Sequence, residues 1–167
     1  MTGTTRRVGE LIGLAGVIGS LIFVGIEVRQ SSIATRAATD AAVADGFREL
    51  NLVLASSPDL AGAFAAYASN PEEAPAEDQI LMLGFYRALF HIWSNGHRQH
   101  LNGTIDPAIF QAVVQEISAY AGQVPPGADI DDIERRQRLT RWAWESERFI
   151  FNPDFQAFVD SVLNAKR

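Results

Sequence analysis

The chain has 167 residues, 47% of them hydrophobic, enough for one domain of ordinary size with a real core. Acidic residues outnumber basic ones, 20 to 14, and the formal charge of -6 argues against a broad nucleic-acid surface. There is no cysteine, which excludes disulfides and thiolate metal sites.

The first element is the stretch GELIGLAGVIGSLIFVGIEVRQ, Gly9 to Gln30, and from Leu11 to Ile26 it holds no charged residue. A helix rises about 1.5 Å per residue, and a bilayer core of about 30 Å takes roughly 20 residues. Val8 to Val28 supplies that length, with Glu10 and Glu27 near the two ends, where side chains snorkel to the headgroups at modest cost. A cleaved signal peptide is one alternative. Arg6 and Arg7 suit its basic start and Ser32-Ile33-Ala34 its cleavage site, but Glu27 and Arg29 intervene. The other alternative is an apolar helix buried in a soluble bundle. An uncleaved single span is the leading expectation.

Small residues in this stretch share a face. At about 100° per residue, Gly9, Gly13, Gly16 and Ser20 line up, and Glu27 falls on the same side. Such a face lets two helix backbones approach closely in lipid, and a carboxylate there seeks a partner or water. A self-associating span is one reading. A monomeric anchor in an alanine- and glycine-rich chain is the other.

Nothing breaks the helical pattern until Ser57-Pro58, so one long helix is expected, with a kink near Ser31. A capping residue followed by proline then opens further helices at Ser57-Pro58, Asp106-Pro107 and Asn152-Pro153. Glu77 to about Leu101 is read as a helix with Met82, Phe85, Tyr86, Leu89 and Trp93 inward, and Asp129 to about Phe149 as another. Linkers fall near 70–76 and 122–128. With no alternating strand pattern and no repeat, the class is all-α. The expected architecture is a transmembrane helix over residues 1–30, tail included, continuing into a small bundle of about five helices over 31–167.

Signals for chemistry are sparse. His97 and His100, three apart, could share a face and bind metal with Asp106, but no HExxH or Glu-x-x-His spacing supports it, and no metal or cofactor is expected. In RRQRLTRWAW, Arg135 to Trp144, the arginines stand four residues from carboxylates: Asp131, Asp132 and Glu134 before, and Glu145 after Arg141. These read as helical ion pairs on a solvated face. Nucleophilic triads and phosphate loops are not visible.

The stretch SLIFVGIEVRQSSIATRAA, Ser20 to Ala38, resembles a group of uncharacterised bacterial proteins with one N-terminal membrane helix. In that group the span runs into a motif of the form Q-x-R-Q-N-T-x-A-x-R-A. Arg29, Gln30, Ala34, Arg36 and Ala37 fit, whereas Glu27 stands where glutamine is more usual. The closing WAWESERFIFNPDFQAFVDSVL and Asn102-Gly103 are similar to the same group. The resemblance implies a bacterial inner-membrane anchor with a small helical domain, and it brings no function with it. Arginines flank the apolar stretch on both sides, so the positive-inside rule decides little. The recurring arginines just after the span, as in the similar proteins, tilt the domain toward the cytoplasm.

The leading function is therefore non-enzymatic: a membrane-tethered interaction or scaffold subunit whose partners are the bilayer and either itself or another membrane protein, and not nucleic acid. The rival is a ligand-binding or enzymatic domain with a pocket among Arg87, His91, Trp93, Asn95 and Trp142. A pore-forming oligomer is disfavoured, since the span offers only Ser20 and Glu27 as polar lining.

Overall fold

No proline occurs before Pro58, so no ring interrupts a helix up to that point. A computed structural model describes residues 3–123 and 129–165, and in it α1 covers Gly3–Ser56. The helix continues through Ser31, whose carbonyl accepts the Thr35 hydroxyl at 2.9 Å. The expected kink there is not a break in the helix.

Local chemistry accounts for the later starts. Ser57 Oγ accepts the Leu60 N–H at 3.3 Å and opens α2 (Pro58–Tyr67). After a single 3-10 turn at Pro71–Glu73, α3 covers Ala76–Leu101 without a side-chain cap. Glu77 and Asp78 in its first turn and Arg98 and His100 in its last match the helix dipole instead. Asp106 accepts the Ala108 N–H at 2.7 Å at the start of α4 (Pro107–Tyr120), and Asp129 accepts that of Asp131 at 2.9 Å at the start of α5 (Ile130–Glu147). A 3-10 turn at Arg148–Ile150 leads to α6 (Pro153–Leu163), where Asn152 accepts the Phe155 N–H at 2.9 Å.

Two stops are alike. Gly103 (φ 67°) follows α3 and Gly122 (φ 82°) follows α4. Across them Thr104 N–H donates to Gln99 O at 3.0 Å, and Gln123 N–H to Ser118 O at 2.8 Å. Both turns use the left-handed conformation that glycine adopts without a Cβ clash. The proline linker expected at Pro125-Pro126-Gly127 lies outside the described residues. No strand occurs among the described residues, so the chain is all-α; the six α-helices described are α1 and five more, α2 to α6, in line with a long first helix leading into a bundle of about five.

The chain divides after Ala38 into two units, residues 1–38 and 39–167. The first is helical, and its described side chains are exposed. In the second, α3 is central and packs against α2, α4 and α5, while α4 also packs against α6. Residues 39–56 join this core: Val43 and Leu50 are buried, and a Cβ on Gly46 would stand 3.2 Å from Ile92 of α3. Every residue expected inward on α3 is buried. Phe90, not among those expected, is buried as well and sits edge-to-face on Trp144 at 5.1 Å and 83°. Such ring pairs add about 0.5–1.5 kcal/mol each beyond burial.

Candidate functional site

The first unit presents apolar surface and little else. Leu21 is 67% exposed and Phe23 66%, and Leu14, Val17, Ile18, Ile22 and Val24 are exposed as well. Within Gly13–Ser56 lies a window of mean hydropathy 1.4, none of it buried, long and apolar enough to cross a membrane. The polar atoms in this stretch are few. The Ser20 hydroxyl donates to Val17 O at 2.8 Å, inside the helix, so it needs no other partner. A helix that is apolar on all sides calls for apolar surroundings on all sides.

The small-residue face remains open. A Cβ at Gly13 or Gly16 would meet nothing within 4 Å, and Ser20 and Glu27 are exposed. Gly9 belongs to α1, but the surroundings of its position are not described. Gly13, Gly16, Ser20 and Glu27 share a face as their spacing requires.

The five pocket candidates go to separate places. Arg87, on α3, forms a two-pronged ion pair with Glu147 at the end of α5, with Nε to Oε2 at 2.7 Å and Nη2 to Oε1 at 2.8 Å. The Arg87 side chain is 55% exposed, whereas that of Glu147 is 4% exposed. This pairing is also what holds the Arg87 guanidinium above its usual range. His91 is exposed, with its ring against Phe151 at 5.0 Å. Trp93 is buried, and its indole N–H donates to Glu116 at 3.3 Å. Asn95 accepts from the Gln99 amide at 3.4 Å, and Trp142 is half-buried against the core. Arg87 and Trp93 are thus engaged by carboxylates, and His91 does not join them around a shared hollow. Burial lifts the Glu116 carboxyl above the usual range, partly offset by the Trp93 bond.

The histidines near the end of α3 serve as aromatic rings. His97 stacks on Phe158 of α6 at 4.5 Å and 16°, and His100 on Phe110 of α4 at 3.9 Å and 5°. Burial first, and His100 second, hold the His97 imidazole below its usual pKa. No group of three His, Asp or Glu placed to hold a metal occurs among the described residues.

The arginines of α5 depart from the expected pairing. Arg135 meets Asp132, three residues away rather than four. Arg138 Nη1 donates to Ser69 O at 2.9 Å, just past the end of α2, and Arg141 Nη2 to Leu163 O at 2.7 Å, in the last turn of α6. Helix ends leave carbonyls without intrahelical donors, and a planar guanidinium satisfies them. Arg148, expected in no role, bonds Asp160 at 2.7 Å, and the Trp144 indole donates to the same carboxylate at 2.8 Å.

Cavities in the second unit are shallow and lie elsewhere. One that is largely apolar, about 580 Å³, opens between α2, α4 and α5, with Leu54 of α1 and Phe85 and Tyr86 of α3 also lining it, and includes none of the five pocket candidates. No family model, no curated protein and no solved structure matches this chain.

Proposed function

We propose that the chain is a single-pass membrane protein in which residues 11–28 span the bilayer and residues 39–167 form a helical interaction or scaffold domain. The observation that carries this reading is the exposure of Leu14 to Val24 on a helix with no polar side. At about 25 cal/mol per Å² of apolar surface, a run of such residues left in water is costly, and lipid tails remove the cost. The resemblance to bacterial single-pass proteins supports an inner-membrane location, with the arginines after the span favouring a cytoplasmic domain. The carboxylate partners of Arg87 and Trp93 favour an interaction role over a ligand pocket at those residues.

Carbonate extraction of cells making the full chain tests the anchor. The expected result is an intact chain that stays in the membrane pellet; release into the supernatant, or a chain shortened near Ala34, overturns it. Protease added to inverted vesicles is expected to digest the domain, and protection would reverse the sidedness. Self-association through the Gly13, Gly16 and Ser20 face is supported by the open room above it. Oxidative crosslinking of Gly16→Cys in membranes is expected to give a dimer, and its failure leaves a monomeric anchor.

A further inference from the structure

The apolar groove between α2, α4 and α5 belongs wholly to the second unit, so its chemistry is independent of the membrane reading. Its volume of about 580 Å³ lies in the range of sites that hold one small molecule. Leu54, Phe64, Ala65, Phe85 and Leu139 give it an apolar lining. Two polar side-chain groups on it stand out because neither has a hydrogen bond or an ion pair among the described residues.

The first is the hydroxyl of Tyr120, the last residue of α4. It lines the groove and makes no hydrogen bond among the described residues. Among those residues no fully buried side-chain oxygen lacks a partner, so this hydroxyl opens to solvent. The neighbouring Tyr86 differs. Thr140 gives its only proton to Arg136 O at 2.8 Å, so in the Tyr86–Thr140 bond at 3.2 Å the phenol is the donor and its proton is taken. A phenol carries its proton at neutral pH, and burial, with Glu116 nearby, raises the pKa of Tyr120 further.

The second is the Arg136 guanidinium, whose central carbon stands 5.9 Å from the Tyr120 ring centroid. It forms no ion pair among the described residues, whereas Arg135 beside it is neutralised by Asp132. Among the described residues, a cation held against a ring face but without a carboxylate partner, and a phenol hydroxyl without a hydrogen bond, therefore both line an apolar trough. An inorganic anion would leave the trough unused, and a neutral hydrocarbon would leave the cation unused.

We infer that this groove binds a free long-chain fatty acid, with its hydrocarbon chain along Leu54, Phe64, Phe85 and Leu139 and its carboxylate between Arg136 and the Tyr120 hydroxyl. The test irradiates the full chain, in phosphatidylcholine vesicles, with a diazirine-bearing palmitate and maps the labelled peptides. Label is expected around Ala65 and Leu139. Unmodified palmitate displaces it, and methyl palmitate does so at least about tenfold less well. Tyr120→Phe weakens displacement about tenfold and Arg136→Gln about fivefold, with Arg136→Lys in between, and all three keep the helical spectrum of the parent. Ala65→Trp, which fills the trough, removes the label. Equal competition by methyl palmitate overturns the assignment, as does label confined to residues 11–28. So does groove labelling by a phosphatidylcholine carrying the same photoreactive chain.

Discussion

Residues 11–28 of α1 and residues 82–93 of α3 are both rich in large apolar side chains, and they meet opposite surroundings. Leu21 and Phe23 stand about two-thirds exposed, while Phe90 and Trp93 have no exposed surface. Spacing separates the two. In α3 the outward side carries Gly84, Arg87, Ala88 and His91, so one face meets water while the other is sealed by α2, α4 and α5. The α1 stretch has no polar side to turn outward. Amphipathicity lets a protein solvate a helix with itself; a helix that lacks it needs a solvent of its own.

The contrast breaks most sharply under charge. Leu14→Arg together with Ile18→Arg should cost insertion about 5–7 kcal/mol, at roughly 2.5–3.5 kcal/mol for each arginine near the centre of a span. Carbonate extraction should then release the chain, while the melting of the helical domain stays unchanged. If the double variant remains in the pellet, lipid is not what solvates the α1 stretch, and its difference from α3 lies elsewhere.

Phe90→Ala should destabilise the second unit by about 3–5 kcal/mol, read as a drop in the midpoint of thermal unfolding by circular dichroism. Phe23→Ala, an equal truncation on α1, should leave that midpoint where it was.

Arg87→Ala should lower the midpoint too, because it leaves the Glu147 carboxylate buried and unpaired. Adding Glu147→Leu should recover part of the loss. No recovery would mean that Arg87 acts through its own packing rather than through the pair.

The smallest expected effect is a pH dependence at His97. Its pKa is lowered in the folded chain, so the unfolded chain binds the proton more readily. The stability it contributes is complete above the unfolded value of about 6.5 and falls as pH drops through that value toward the folded one. Asp154 opposes the shift and His100 reinforces it. The midpoint at about pH 5.5 should lie below that at about pH 7.5, and His97→Phe should narrow the gap. An unchanged gap would assign the effect to other groups.

Much of the fold was legible because its grammar is local. Ser57-Pro58, Asp106-Pro107 and Asn152-Pro153 each open a helix, and the side-chain cap follows from the residue type. Burial of Val113 and Ile117, and of Phe155 and Val159, follows helical spacing. What was not legible depends on residues far apart in the chain. Nothing in WAWESER separates Glu145, which is exposed, from Glu147, which is buried, because the difference is Arg87 sixty positions earlier. The arginines of α5 looked locally paired because spacing shows only neighbours on the same helix. Their carbonyl acceptors near the ends of α2 and α6 come into reach only through packing. The groove was missed for the same reason, since Leu54, Tyr120 and Arg136 share no motif.

The two guanidinium latches on α5 carry a mechanical consequence. Arg138 holds the residue just beyond α2, and Arg141 holds the final turn of α6, almost a hundred residues further along the chain. Fraying from either of these ends must break a bond to the same helix, so two termini distant in sequence are tied to a single buckle.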